Sequence, residues 1–240
     1  LASISGKRLR KPLKGFPFFY IRKLYILIPM KVSLSIKKYF FLFFLSSVLL
    51  PVRYFIDTDS SNMIWVGRKV TGQHHGSIAI YDGYIDIEEN SIVGGEIIID
   101  MTTIEVLDMS DKYNKKLEQH LKNSDFFDIV KFPRASFKIR KSYDFLMIES
   151  ILFEGDLKIK DKTVQSFIPT IVSVNSTIAE AVGVIDIDRT LFGITYGSGS
   201  FFEDIADRAI DDNFTLKFKI IASSDYTDNP LLEIDRIDNK

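Results

Sequence analysis

Phe214-Thr215-Leu216-Lys217-Phe218-Lys219-Ile220 alternates apolar and polar residues without error. Successive side chains of a strand point to opposite faces, so this run turns one face to a core and the other to water. The same pattern recurs in Ala135-Ser136-Phe137-Lys138-Ile139-Arg140, in Leu157-Lys158-Ile159-Lys160 and in Ile85-Asp86-Ile87-Glu88. Turn signals punctuate these runs: Asp82-Gly83, Asn90, Ser142-Tyr143-Asp144 and Lys160-Asp161-Lys162. Asp82-Gly83 predicts a tight type I′ hairpin. Short strands at regular spacing predict a sandwich or an up-and-down barrel, not βαβ units.

One segment breaks the alternation. Asp111 to Leu121 reads as a short helix, because Tyr113, Leu117 and Leu121 recur four apart as one apolar stripe. Asp108, Ser110 or Asp111 is placed to cap it. A lone helix in a β chain is expected over an end or edge of the barrel.

Composition excludes several function classes. The chain has 240 residues and no cysteine, so disulfides, thiolate metal sites and cysteine catalysis are excluded. Of 31 Lys and Arg, about eleven precede Tyr54, where there is no Asp or Glu. That leaves about 20 basic against 32 acidic residues in the body, a net of about −12. An acidic body repels phosphate backbones, so nucleic acid is not an expected partner. No nucleotide or cofactor motif is present: Gly193, Gly197 and Gly199 lack the Gly-Lys-Ser/Thr of a phosphate loop.

Lys31, Lys37 and Lys38 precede an apolar run from Tyr39 to Leu45 that resumes as Val48-Leu49-Leu50-Pro51-Val52. A basic patch before roughly fourteen mostly apolar residues fits a secretory signal better than a spanning helix of about twenty. Residues 30–52 are therefore expected to be a signal peptide, or an uncleaved anchor that would hold the protein at a membrane. Residues 1–29 read as an extension upstream of a start at Met30. The body is expected over residues 53–222, and the acidic stretch 223–240 as a mobile tail.

With these runs in place, the chain resembles the YceI-like family. The resemblance rests on motifs in a shared order. Ile56-Asp57-Thr58 comes first, then Trp65-x-Gly67-x-Lys69-Val70-Thr71-Gly72, His75-Gly76, Gly94-Gly95 and Ile99-Asp100-Met101. His120-Leu121-Lys122-Asn123-Ser124-Asp125-Phe126-Phe127 follows, running into Lys131-Phe132-Pro133-Arg134-Ala135-Ser136-Phe137. Gly155-x-Leu157 and Asp188-Arg189-Thr190-x-Phe192-Gly193-Ile194-x-Tyr196-Gly197-Ser198-Gly199 complete the series. Two departures stand out. Ser60-Ser61 occupies the place of a His-Ser pair, and Lys160-Asp161-Lys162-Thr163 replaces a Lys-Gly-x-Thr hairpin.

The resemblance implies an all-β fold, an extended antiparallel eight-stranded lipocalin-like barrel with one short inserted helix. It implies a non-enzymatic protein of the bacterial periplasm or cell surface, or a secreted one, that binds, stores or transports a long-chain isoprenoid or similar amphiphilic lipid. It also implies a homodimer. Ten-residue strands would give a barrel about 33 Å deep. Burying ~700 Å² of polyprenyl surface would release ~17 kcal/mol gross, much of it offset by the costs of association.

Candidate ligand-binding residues are Trp65, His75, His120, Phe126, Phe127, Arg189 and Phe192. The aromatics serve as cavity wall or as plain core packing, which look alike in sequence. Arg189 either engages a pyrophosphate head group or ties a structural corner to Asp188, Asp125 or loop carbonyls, with the corner favoured. His74 and His75 are adjacent on a strand and so are expected to face opposite sides. One is read as a polar contact at the barrel mouth, the other as solvated. No ligand spacing matches a metal site. Two further readings stay open. One is an enzyme acting on such a lipid with His75 or His120 and a carboxylate, Asp125 or Asp188. The other is a stress-related envelope protein whose barrel is filled.

Overall fold

The computed structural model describes residues 50–89, 91–144, 150–202 and 209–225. Eight antiparallel strands close into one barrel in chain order. They are β1 (Val52–Lys69), β2 (Gly72–Glu88), β3 (Ser91–Val106), β4 (Arg134–Asp144), β5 (Ile151–Ile159), β6 (Lys162–Val174), β7 (Ile178–Asp188) and β8 (Ile210–Ser223). One helix, α1 (Asp111–Lys122), follows β3, and a 3-10 turn at Arg189–Phe192 follows β7. The resemblance foresaw this architecture. The extension and most of the signal or anchor segment, residues 1–49, and the tail from 226 lie outside the described residues. Among the described residues no helix is long and apolar enough to cross a membrane.

The alternating runs place their apolar residues inside. Phe137, Ile139, Leu157, Ile159, Ile85 and Ile87 are all buried. Their polar neighbours face outward and pair across strands. Arg53 donates to both carboxylate oxygens of Asp86, at 2.8 and 3.0 Å, and Arg140 pairs with Asp156. An apolar interior and a charged exterior are the reverse of an outer-membrane barrel, whose lipid-facing band is apolar.

Several local expectations are corrected. Strands β1 to β3 run 18, 17 and 16 residues, well beyond ten. Asp82-Gly83 is no hairpin turn. It lies inside β2, opposite Ile98 and Ile97 of β3, just past a bulge after Ile80. Glycine is needed there for close approach: a Cβ at Gly83 would fall 2.5 Å from Ile56 Cδ1 and 2.6 Å from Glu96 O. The intrinsic turn preference of the pair gives way to its pairing with β3, while pairing with β1 lapses between Ser77 and Tyr84. The chain turns instead at Val70-Thr71, and again at Glu89, whose φ is 47°; the expected turn residue Asn90 lies outside the described residues. Ser142-Tyr143-Asp144 continues β4, paired with Phe153, Leu152 and Ile151. Lys160-Asp161 does turn, with Lys160 at φ 57°, and joins β5 to β6.

Helix α1 forms where its stripe predicts, and it packs on β3. Leu121 is buried and Leu117 partly so, whereas Tyr113 stays largely exposed. Ser110 takes the N-cap position but makes no side-chain cap bond. Asn114 Oδ1 instead accepts from the Met109 amide at 3.1 Å. Glu118 holds the helix to the sheet by accepting from the Val106 amide at 2.9 Å.

The barrel has one weak seam. β6 and β7 pair only over Thr170–Val174 and Ala179–Gly183. Beyond those residues the turn after β7 packs against β6. Its Phe192 and Ile194 are 2% and 0% exposed.

Candidate functional site

A cavity of about 820 Å³ occupies the helix-covered half of the barrel. Its wall is mostly apolar and includes Ile78, Ile99, Met101, Ile104, Leu157 and Leu216. Around its mouth stand Arg68, Lys69, His74, Lys116, Tyr113 and Asn213. The volume falls within the ~300–1,000 Å³ of pockets that bury drug-sized molecules. An apolar chamber with a polar, mainly basic rim can bury a greasy chain and meet a polar head.

Five of the seven sequence candidates border this space: Trp65, His120, Phe126, Phe127 and Arg189. Trp65 donates from Nε1 to Glu105 O at 3.2 Å. The helix and the loop behind it supply a ladder of edge-on rings. His120 meets Tyr196 at 4.5 Å and Phe126 at 5.6 Å, and Phe126 meets Phe127 at 5.0 Å. Lys160 fastens this loop from across the barrel by donating to Phe126 O at 3.0 Å.

The other two candidates lie away from the cavity. Phe192 is buried in the corner after β7, and His75 is about half exposed. His74 borders the cavity instead. The two histidines nevertheless approach one carboxylate, against the expectation that strand alternation parts them. His74 Nδ1 is 3.2 Å and His75 Nδ1 3.8 Å from Asp108 Oδ2. Asp108 lies past the end of β3, beyond the sheet, where both rings reach it. Among the described residues no three His, Asp or Glu groups are arranged to hold a metal ion.

Arg189 spends its hydrogen bonds on the chain around it. Its Nε donates to Asp211 O, one terminal nitrogen to Ile194 O and Tyr196 O, and the other to Ile210 O and Asp212 Oδ1, at 2.7–3.4 Å. A guanidinium has five N–H donors, and all are engaged. None is left for a pyrophosphate. Asp188 accepts from the Thr190 amide and hydroxyl rather than from Arg189. Gly193 and Gly197, at φ 76° and 61°, supply the left-handed steps of this loop. Burial pushes the Arg189 pKa down from the usual arginine value, against the charges of Asp212, Asp188 and Asp211.

Asp212 titrates below the ordinary carboxylate range. Burial opposes this, but hydrogen bonds from Ser198 and Ser200 and the Arg189 charge outweigh it. A carboxyl depressed in the folded state stabilises fully above its unfolded pKa of about 3.9. That contribution is lost as pH falls through the folded value. Asp212→Asn is therefore expected to lower Tm at neutral pH, and the two melting curves should converge below about pH 3. A gap that persists unchanged to that pH would show that the charge of Asp212 is irrelevant.

The catalytic alternative finds little geometry. His120 Nδ1 lies 3.9 Å from Asp125 Oδ2, beyond hydrogen-bond reach. Asp188 Oδ1 is spent on Thr190. Sequence reasoning missed the rim: Arg68 and Lys116 carried no signal, Lys69 stood only as a motif member and Tyr113 only as part of the helix's apolar stripe. Tyr196 was quoted only as part of a glycine-rich motif, though its tyrosine placed next to the glycines was a usable signal.

The family model described as YceI-like domain matches residues 54–222, nearly all of the barrel. The chain belongs to the YceI-like family. No curated protein matches it. Among solved structures, this YceI-like barrel is similar to the crystal structure of Burkholderia cenocepacia BcnA. The two are 19% identical with a TM-score of 0.55, over 69% of this chain and 98% of that one. It is also similar to a polyisoprenoid binding domain from Saccharophagus degradans implicated in plant cell wall breakdown. There the identity is 9% and the TM-score 0.51, over 72% of this chain and 98% of the other. At such identities the likeness is one of fold.

Proposed function

We propose that this YceI-like protein is a binding protein that carries one isoprenoid-type amphiphile in the upper half of its barrel, in the bacterial cell envelope. The single observation behind the reading is the cavity of about 820 Å³, apolar in its depth and basic at its rim. The likeness to a barrel described as polyisoprenoid binding supports the ligand class. The basic, then apolar, N-terminal segment supports the location.

Apolar burial at about 25 cal/mol per Å² gives useful affinity without any catalytic group. Trp65, His120, Phe126 and Phe127 would contact the chain, with His74, Lys116 and Arg68 near its head. Arg189 acts indirectly, by holding the corner that closes the β6–β7 seam.

The test is native mass spectrometry with organic extraction. The barrel from residue 53 is expressed in a bacterial host behind an export signal. The expected result is one isoprenoid lipid per barrel. A clean apo mass, with no uptake of added isoprenoid alcohols, would overturn the reading. N-terminal sequencing of the native protein checks the location: a mature terminus near residue 52 is expected if the segment is a cleaved signal.

A further inference from the structure

Two chambers share the barrel, and they differ tenfold in size. Below the cavity of about 820 Å³ lies a second space of about 80 Å³. Ile99 of β3, Leu157 of β5, Ile187 of β7 and Leu216 of β8 border both. These four side chains form a ring across the barrel. Beneath it, Phe137, Phe153 and Phe218 project inward and line the small chamber.

Two of these phenyl rings reach over glycines. Phe218 pairs with Gly183 on β7, where a Cβ would sit 2.3 Å from the ring carbon Cζ. Phe137 covers Gly155 on β5, where a Cβ would sit 2.6 Å from its Cζ. Each ring occupies the space its glycine leaves free, so only about 80 Å³ stays open at the floor. The two ends are built differently. In the upper half the corresponding β4 position is Ala135, and the chamber stays open.

We infer that this aromatic floor is a chain-length ruler, which limits the tail that the barrel takes to roughly five isoprene units. The inference rests on the lipid-binding reading above. At ~30 Å³ per water- or methylene-sized group, the upper cavity holds about 27 such groups, and the lower only two or three. A five-carbon unit repeated about five times fills the first count. Further units find no room below the ring. They would project through the mouth into water, past Lys116 and His74, and carry the polar head away from the basic rim, so the longer alcohol loses contacts that the shorter one keeps.

The experiment offers the folded barrel an equimolar mixture of a four-isoprene and an eight-isoprene alcohol and reads the bound masses by native mass spectrometry. The wild type is expected to keep the shorter alcohol about tenfold over the longer, within the range that a few apolar groups give. Phe218→Ala opens the floor and should move that ratio toward the longer alcohol by about tenfold. Ala135→Phe adds a ring to the open chamber and should shift retention from the four-isoprene to a two-isoprene alcohol. It decides the matter if Phe218→Ala does not fold, as judged by circular dichroism. Equal retention of both lengths by the wild type, or an unchanged ratio in the folded variants, overturns the ruler and leaves lipid binding standing. If neither the wild type nor any variant takes up an alcohol of any length, the lipid-binding reading itself fails.

Discussion

Arg189→Met is expected to lower the unfolding free energy by about 3–5 kcal/mol, the cost typical of breaking a buried charged network by removing one partner. Arg189 is 2% exposed, and four of its five hydrogen bonds end on backbone carbonyls: Ile194, Tyr196, Ile210 and Asp211. Methionine fills similar volume but donates nothing. Each carbonyl stranded away from water costs about 1–3 kcal/mol, less where water enters. Asp212 would also lose its partner.

Arg189→Lys should recover only part of the loss, because an ammonium has three donors in place of a planar fork of five. The damage is local in origin and global in effect. Two of these carbonyls, Ile194 and Tyr196, belong to the loop after β7, which covers the β6–β7 seam where strand pairing stops at Thr170 and Gly183, and the other two open β8. Urea unfolding followed by the fluorescence of Trp65, the single tryptophan, reads it directly. A loss under about 1 kcal/mol for Arg189→Met would mean that water satisfies the corner and that the guanidinium is not its keystone.

Gly76→Ala should be nearly as costly, at about 3 kcal/mol, the upper end of what overpacking does. Gly76 pairs with Trp65 on β1 and with Val106 on β3. A Cβ there would lie 1.7 Å from the backbone oxygen of Glu105 and 2.8 Å from the Trp65 ring. The first distance is the decisive one, since a backbone oxygen in a paired strand cannot rotate away as a side chain can. Its φ is not in the left-handed region, so the demand for glycine is one of space alone. The same oxygen accepts the Trp65 indole N–H. The methyl would therefore part β2 from β3 and dislodge Trp65 from the cavity wall. A fall in the urea midpoint should accompany a shift in Trp65 emission and weaker lipid retention. Wild-type stability in this variant would show that the strands separate there at little cost.

Both sites were visible in the sequence as motif members, and in neither case was the physical reason visible. His75-Gly76 and Asp188-Arg189-Thr190 marked the family, and the family carried the barrel. Neither motif says that the glycine yields room to an indole, or that the arginine spends every donor on its own chain. The histidines show the same limit. Alternation assigned His74 and His75 to opposite faces, yet Asp108 draws within 4 Å of both because it lies past the end of its strand. Asp82-Gly83 shows it again: a strong local turn preference was overruled by partners distant in the chain, Ile98 and Ile97 on β3.

By itself the sequence determined that this chain is antiparallel β with one short helix, because period-two and period-3.6 patterns are local properties that short windows contain in full; the barrel, rather than a sandwich, came from the family resemblance. It also determined which residues face inward on each alternating strand. Whether those inward residues leave a void was decided only in three dimensions. Phe137, Phe153 and Phe218 come from β4, β5 and β8, and they meet only when the barrel closes. Ala135, Ile78 and Met101 come from β4, β2 and β3, and they leave the upper half open for the same reason. A cavity is a property of what stands across from a residue, and on a closed barrel that neighbour is set by register between distant strands rather than by adjacency in the chain.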